Sequence, residues 1–303
     1  MVDMVIQTNR LTKYYGKQRG IVGVNLEVQR GEVFGFLGPN GAGKTTTIRT
    51  LLDFIRPTSG TATVLGLDSR EFSREQRRRI GYLQGELALY ENMTGAEFLR
   101  YLANLRGGVD WDYVESLAAR LQANLRQPMR NLSLGNKHKF GLIQALMHKP
   151  ELLFLDEPTS GLDPLIQQEF YAMVGEVRAE GRTMFLSSHN LPEVERICDR
   201  VGIIREGRMV TVEQVAELKQ RSLRRLEIRF GQTVPEQALA AVPGLHDLQV
   251  NNGIVYCTVV GSMDALIKAL AGFQVESLIS HEPSLEEIFL AYYNGTAQVS
   301  RDE

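Results

Sequence analysis

The 303-residue chain has room for one large domain or two ordinary ones. Hydrophobic residues at 43% and charged residues at 23% exclude a disordered or collagen-like chain. Lys+Arg 34 against Asp+Glu 36 leaves a net charge of -2, which makes no electrostatic case for wrapping nucleic acid. Unbroken apolar stretches such as Leu152 to Leu155 fall far short of the ~20 residues of a membrane helix. Met1 to Arg10 carries Asp3 and Asn9 and lacks the apolar core of a signal peptide. Cys198 and Cys257 sit in apolar contexts and are expected to be buried, reduced thiols of a cytosolic protein.

In chain order, Val33-Phe34-Gly35-Phe36-Leu37 reads as a buried strand, followed by a glycine turn and a helix from Thr46 to Phe54. From Glu86 to Met129 the pattern is helical, with helices predicted over Ala96 to Leu105 and Tyr113 to Leu125. Further buried strands are Leu152 to Leu155, Thr183 to Ser187 and Val201 to Ile204, separated by helices over Pro164 to Glu180 and Leu191 to Cys198. This alternation predicts an α/β domain with a largely parallel sheet, helices on both faces and a helical insertion. From about Leu223 the pattern changes to strand, helix, hairpin, helix, strand, with Asn252-Gly253 at the hairpin turn. That βαββαβ order predicts a small ferredoxin-like module, followed by a final helix over Ser284 to Tyr293. The expected domains are 1–220, with a helical subdomain at about 86–135, and 221–303.

Two segments carry chemistry. Gly38-Pro39-Asn40-Gly41-Ala42-Gly43-Lys44-Thr45 follows a strand and opens a helix, the context of a phosphate-binding loop. Its glycines turn backbone N–H groups inward around phosphate oxygens, and the helix N-terminus adds a positive dipole end. Lys44, one of only eight lysines, supplies a cation between the β- and γ-phosphates, and the Thr45 hydroxyl can ligate Mg²⁺. Leu152-Leu153-Phe154-Leu155-Asp156-Glu157 is an apolar strand ending in two carboxylates. Asp156 can reach the Mg²⁺ shell, and Glu157 is the candidate general base for an attacking water.

Together these segments resemble the ATP-binding-cassette (ABC) transporter ATPases, over about Met4 to Gln220. The resemblance extends to the family's signature segment, usually LSGGQ, at Leu132-Ser133-Leu134-Gly135-Asn136. It also covers the D-loop at Ser160-Gly161-Leu162-Asp163 and the switch histidine at His189. Tyr15, rather than Tyr14, matches the aromatic that stacks on adenine. The resemblance implies a P-loop NTPase fold with a RecA-like core. It also implies an ATP site built from Tyr15, the loop from Gly38 to Thr45 and Thr46. In this family two cassettes pair head to tail, and Ser133 and Gly135 of one contact ATP held by the other. Asp163 would lie across that interface.

Two departures stand out. Leu134 occupies a place where the signature usually has glycine, and Asn136 one where it has glutamine. In the Q-loop, Gly81-Tyr82-Leu83-Gln84-Gly85 puts Gln84 at the proline place and Gly85 at the glutamine place. Gln84 is expected to serve the Mg²⁺ site with a one-residue shift, or else that contact and its coupling to a partner are weakened. Arg74, Arg77, Arg78 and Arg79 read as a solvated helix face. By resemblance, the apolar cluster Leu87, Leu89, Tyr90 and Met93 marks the groove where a membrane subunit docks.

The resemblance implies an ATPase subunit that works with a second cassette and a separate transmembrane permease at the cytoplasmic face of the membrane. The ending Glu282 to Leu290 resembles bacterial drug- and antibiotic-export cassettes. Alternatives are an importer cassette, or a soluble ABC ATPase acting on DNA or ribosomes. The latter lacks the inserted coiled coil or second cassette expected of it.

Overall fold

The structure is a computed structural model, and it describes residues 3–85, 90, 92–217, 224–231, 235–259 and 262–281. The chain divides into two compact units between Glu213 and Gln214.

The first unit is built on a six-stranded sheet in the order β10-β9-β3-β8-β7-β6. Its strands are β3 (Val33–Leu37), β6 (Ile80–Leu83), β7 (Leu152–Asp156), β8 (Thr183–Ser188), β9 (Arg200–Arg205) and β10 (Arg208–Gln214). β3, β7 and β8 are buried at every position, which is why they are apolar throughout rather than alternating. β9, β3, β8, β7 and β6 pair in parallel, so their C-terminal ends share one edge. Register places Phe34 beside Phe185 and Phe185 beside Phe154. The rings lie 5.6 Å apart in each pair, forming an aromatic ladder across the sheet.

That aromatic face is not covered by helices alone, as the sequence reading expects. An antiparallel sheet in the order β2-β1-β4-β5 packs there. Its strands are β1 (Met4–Tyr15), β2 (Gln18–Gln29), β4 (Ser59–Val64) and β5 (Leu67–Asp68). Val5, Ile6, Val24, Leu26 and Val28 share a core with Phe34, Phe154 and Phe185. Helix α1 (Lys44–Leu51) contributes Ile48 and Leu51 to the same core. It ends three residues before the expected Phe54, because Asp53 adopts a left-handed φ of 58°.

A short α2 (Arg74–Arg78) precedes β6, and the insertion after β6 holds α3 (Gly95–Arg106) and α4 (Trp111–Arg120). α3 starts at a capping box in which Thr94 and Glu97 bond each other's backbone, worth about 1 kcal/mol. α4 stops well short of Leu125, since Gln122 turns left-handed at φ 51°. Arg79, partly exposed, makes a two-pronged ion pair with Glu151 at 2.6 and 2.7 Å. The remaining helices are α5 (Leu134–Leu146), α6 (Pro164–Ala179) and α7 (Leu191–Ile197).

The second unit has a four-stranded sheet in the order β12-β13-β11-β14, with every neighbouring pair antiparallel. Its strands are β11 (Arg224–Phe230), β12 (Leu245–Asn251), β13 (Ile254–Val259) and β14 (Val275–His281). Helices α8 (Glu236–Ala240) and α9 (Asp264–Leu270) join them in βαββαβ order. Leu226, Ile228, Val255, Leu239 and Leu266 form the core. Asn252 and Gly253 make the hairpin turn at φ 52° and 77°. The segment Glu282 to Leu290 and the helix expected over Ser284 to Tyr293 lie outside the described residues. Both cysteines are buried free thiols, and burial pushes the Cys257 thiol up to about 11.

Candidate functional site: a phosphate-binding cleft

Three parallel strands end at one place. The loop Gly38 to Gly43 follows β3, the Asp156-Glu157 pair ends β7, and Ser188-His189 ends β8. Register pairs Asp156 with Ser187, and Leu37 with Ser188. Ligands of parallel sheets bind outside such carboxyl ends. Here a cleft of about 970 Å³ opens, lined among others by Tyr15, Lys44, Thr45, Asp156 and Glu157.

Gly43 is the N-cap of α1 at φ 110°, which an L side chain rarely adopts. No side chain caps this helix end. The first N–H groups of a helix have no intrahelical partner, and those of Lys44, Thr45 and Thr46 belong to residues that line the cleft. The result is a set of donors suited to an anion.

Lys44 is 6% exposed. Its ammonium donates to Gly38 O at 2.6 Å and lies 3.1 Å from Glu157 Oε1. The other Glu157 oxygen lies 2.7 Å from His189 Nδ1. Thr45 Oγ1 donates to Asp156 Oδ2 at 2.7 Å, and Ser187 Oγ donates to Asp156 Oδ1. Asp156 is thus oriented by two hydroxyls, with an oxygen pair beside Thr45 that suits a hard divalent cation. Mg²⁺ is commonly held by one or two protein oxygens completed by phosphate and water, which fits this donor set.

Tyr15 is 45% exposed in the cleft, where Lys13 Nζ sits 5.4 Å from its ring centroid. Tyr14 does not line the cleft; its N–H donates to Thr58 Oγ1. Pro39, Asn40 and Gly41 line the cleft, whereas Ala42 is buried beneath it and accepts from Gly207 N through its carbonyl.

A matching set of relatives accompanies this geometry. The ABC transporter family model matches residues 21–160. The chain is 36% identical to the bacitracin transport ATP-binding protein BcrA of Bacillus licheniformis, over 97% of this chain and 99% of that protein. The chain belongs to the ABC transporter ATP-binding family. It is also 34% identical to a fluoroquinolones export ATP-binding protein of Mycobacterium tuberculosis, over 94% of this chain and 92% of that one. Among solved structures, an ATP-binding subunit of an ABC transporter matches with TM-score 0.65 and 30% identity, covering 71% of this chain and 92% of its own. The cbiO1 protein of Clostridium perfringens matches with TM-score 0.60 and 26% identity, covering 71% and 90%. This ABC cassette is an ATPase, and ATP is its ligand.

Within the cassette the structure does not bring every expected residue together. Ser133 and Gly135 do not line the cleft. Ser133 caps α5, its Oγ accepting from Asn136 N at 3.3 Å, so its own O–H remains to donate. Leu134 beside it is 71% exposed. Gln84 is half-buried and does not line the cleft; Gly85 does, and a Cβ there would be 3.4 Å from Asp156 Oδ2. Leu87 and Leu89 lie outside the described residues, while Tyr90 is exposed and packs edge-on to Tyr101 at 5.3 Å.

Some contributors are absent from the motif reading. Ser187 orients Asp156, and Arg19 and Arg49 bring two cations to the cleft wall. Buried Glu193 accepts from Ser188 Oγ at 2.6 Å, Ser188 being the residue just before His189. Burial raises the Glu193 carboxyl above the usual range. Only the serines and the carboxylate following His189 hint at this in sequence; nothing marks the arginines.

Proposed function

We propose that the chain is the ATP-hydrolysing subunit of an exporter, driving a separate transmembrane permease from the cytoplasmic face of the membrane. The observation that carries this reading is the convergence of Lys44, Thr45, Asp156, Glu157 and His189 at one strand edge. The fluoroquinolones export relative supports the direction of transport, and it and the bacitracin transport relative both match over more than nine-tenths of the chain. No helix among the described residues is long and apolar enough to cross a membrane, which accords with a permease on another chain.

In this reading the Gly38–Thr46 loop and Lys44 bind the triphosphate, and Tyr15 stacks on the base. Thr45 and Asp156 would hold Mg²⁺, which would supply neutralisation of phosphate charge. Glu157 is the general base, and His189, within hydrogen-bond distance of its carboxylate, keeps it aimed and senses the γ-phosphate. Ser133 and Gly135, outside the cleft of their own chain, act in a second copy through the N-terminus of α5. A monomer then carries two half-sites. The cassette, expected over 1–220, is followed by a regulatory or assembly module expected over 221–303, a boundary seven residues after the division between Glu213 and Gln214.

Glu157→Gln keeps shape and removes the base. ATP binding persists, turnover falls by roughly 10²–10⁴-fold, and an ATP-bound dimer accumulates. Ser133→Arg blocks that dimer by clash and charge while sparing monomeric binding. Size measurement in Mg-ATP decides: a Glu157→Gln protein that stays monomeric, alone and with its membrane partner, sinks the two-half-site reading.

A further inference from the structure

His189 lies in the turn between β8 and α7, with its side chain 58% exposed. Packing does not fix so exposed a ring, yet its Nδ1 lies 2.7 Å from Glu157 Oε2. What is fixed is the backbone on either side of it. Ser188 and Asn190, the residues before and after, are joined across His189 by one hydroxyl. Asn190 N donates to Ser188 Oγ at 2.9 Å. Ser188 Oγ in turn donates to Glu193 Oε2 at 2.6 Å. Asn190 is held a second time through its side chain, whose Oδ1 accepts from Glu193 N at 3.4 Å and caps α7. Ser188 O accepts from Gly38 N at 3.4 Å, which ties the same strand end to the phosphate loop.

A hydroxyl has one hydrogen to give and lone pairs to accept with. Two oxygens stand near Ser188 Oγ: Glu193 Oε2 at 2.6 Å and Asn190 O at 3.5 Å. The carboxyl oxygen is at full hydrogen-bond distance and the carbonyl is not, so the hydrogen goes to Glu193. The serine's lone pairs are then left for Asn190 N. Glu193 itself is 1% exposed. A carboxyl group is a costly filler for such a place, whereas an apolar side chain would leave no polar atom to satisfy. The acceptor oxygen is what distinguishes Glu193 from that cheaper choice.

We propose that Glu193 is a positioning residue for His189. By taking the Ser188 hydrogen it points the serine oxygen at Asn190 N, closes the turn around His189 and keeps the imidazole at the Glu157 carboxylate. With no acceptor at 193 the hydroxyl turns elsewhere and its hold on Asn190 N loosens. Glu193 acts through His189, a role that rests on the reading of His189 as the residue that keeps Glu157 aimed.

The test uses the full-length protein in Mg-ATP. Glu193→Met keeps the volume and removes the acceptor; Glu193→Gln keeps an acceptor oxygen. The Met variant is expected to lose about 10- to 100-fold in kcat, with nucleotide affinity within about twofold of wild type because the phosphate loop is untouched. The Gln variant recovers most of that loss. In a His189→Ala background the Met change adds nothing, because it acts through the missing imidazole. A folded Met variant that turns over like wild type overturns the proposal, and so does an equal loss in Met and Gln variants, or full additivity with His189→Ala. If the Met variant does not fold, Ser188→Ala, which breaks the same chain of bonds at the hydroxyl, takes its place and must show the same loss in kcat. His189→Ala alone separates the two layers. Wild-type turnover there overturns the reading of His189 and the proposal with it; a slow His189→Ala protein beside a fully active Glu193→Met protein overturns the proposal alone.

Discussion

Lys44 Nζ lies 3.1 Å from Glu157 Oε1, so the loop's cation and the strand-end carboxylate form one ion pair, largely out of solvent. The pair couples two assignments that are otherwise separate. The cation that is to meet phosphate is the same group that neutralises the base.

Lys44→Ala removes the cation from a site where it is 6% exposed. Truncating one member of a buried, hydrogen-bonded charge contact costs about 2–5 kcal/mol, at least roughly thirtyfold in affinity. ATP binding measured by calorimetry is expected to fall by that much or more. Affinity within about twofold of wild type would contradict the phosphate-loop assignment.

Gln84 and Gly85 make opposite predictions. Gln84 does not line the cleft, so Gln84→Ala is expected to leave hydrolysis within about twofold. Gly85 faces Asp156 with ordinary contact space for a Cβ and no left-handed φ. Gly85→Gln then brings an amide oxygen toward the Asp156 carboxylate and should lower the Mg²⁺ concentration needed for half-maximal hydrolysis. A Mg²⁺ requirement that rises in Gln84→Ala and is unmoved in Gly85→Gln restores the shifted role of Gln84.

His148 sets an acid limit on stability. Its Nε2 lies 3.1 Å from Ile80 O, and burial beside Arg106 and Arg182 holds the ring at about 4 against an ordinary 6.5. The unfolded chain takes up a proton below pH 6.5 while the folded chain resists until about 4. The contribution is therefore complete above pH 6.5 and is lost as pH falls through that window, by about 3 kcal/mol in all. His148→Gln keeps a donor for Ile80 O and removes the titration. Urea midpoints measured from pH 7.5 to 4.5 should fall less steeply in the variant; parallel curves rule the effect out.

Truncation after Gln220 removes the βαββαβ unit, whose core of Leu226, Ile228, Val255 and Leu266 is its own. None of the cleft residues is lost. ATP affinity of the 1–220 protein should match full length within about twofold. Dimer stability, ATPase rate or capture of the permease should change. If none of the three moves, the module has no part in assembly or control.

The phosphate loop, the Asp156-Glu157 strand end and the βαββαβ order were legible in the chain alone. Each depends on local rules: glycines where φ must be positive, apolar runs where a strand is buried on both faces, and Asn252-Gly253 where a hairpin must turn. What the one-dimensional pattern did not carry was anything depending on distant packing. The antiparallel sheet formed by β1, β2, β4 and β5 escaped because its strands show mixed burial with irregular register, not clean alternation. The pairing of Glu157 with both Lys44 and His189 joins residues more than a hundred and about thirty positions apart. The placement of Gly85, rather than Gln84, against Asp156 is set by how the end of β6 lies beside β7. Close approach of Gly135 to Gly161 likewise arises only when α5 packs on the sheet edge. Local sequence determined which groups could bind phosphate; tertiary packing decided which of them face one another.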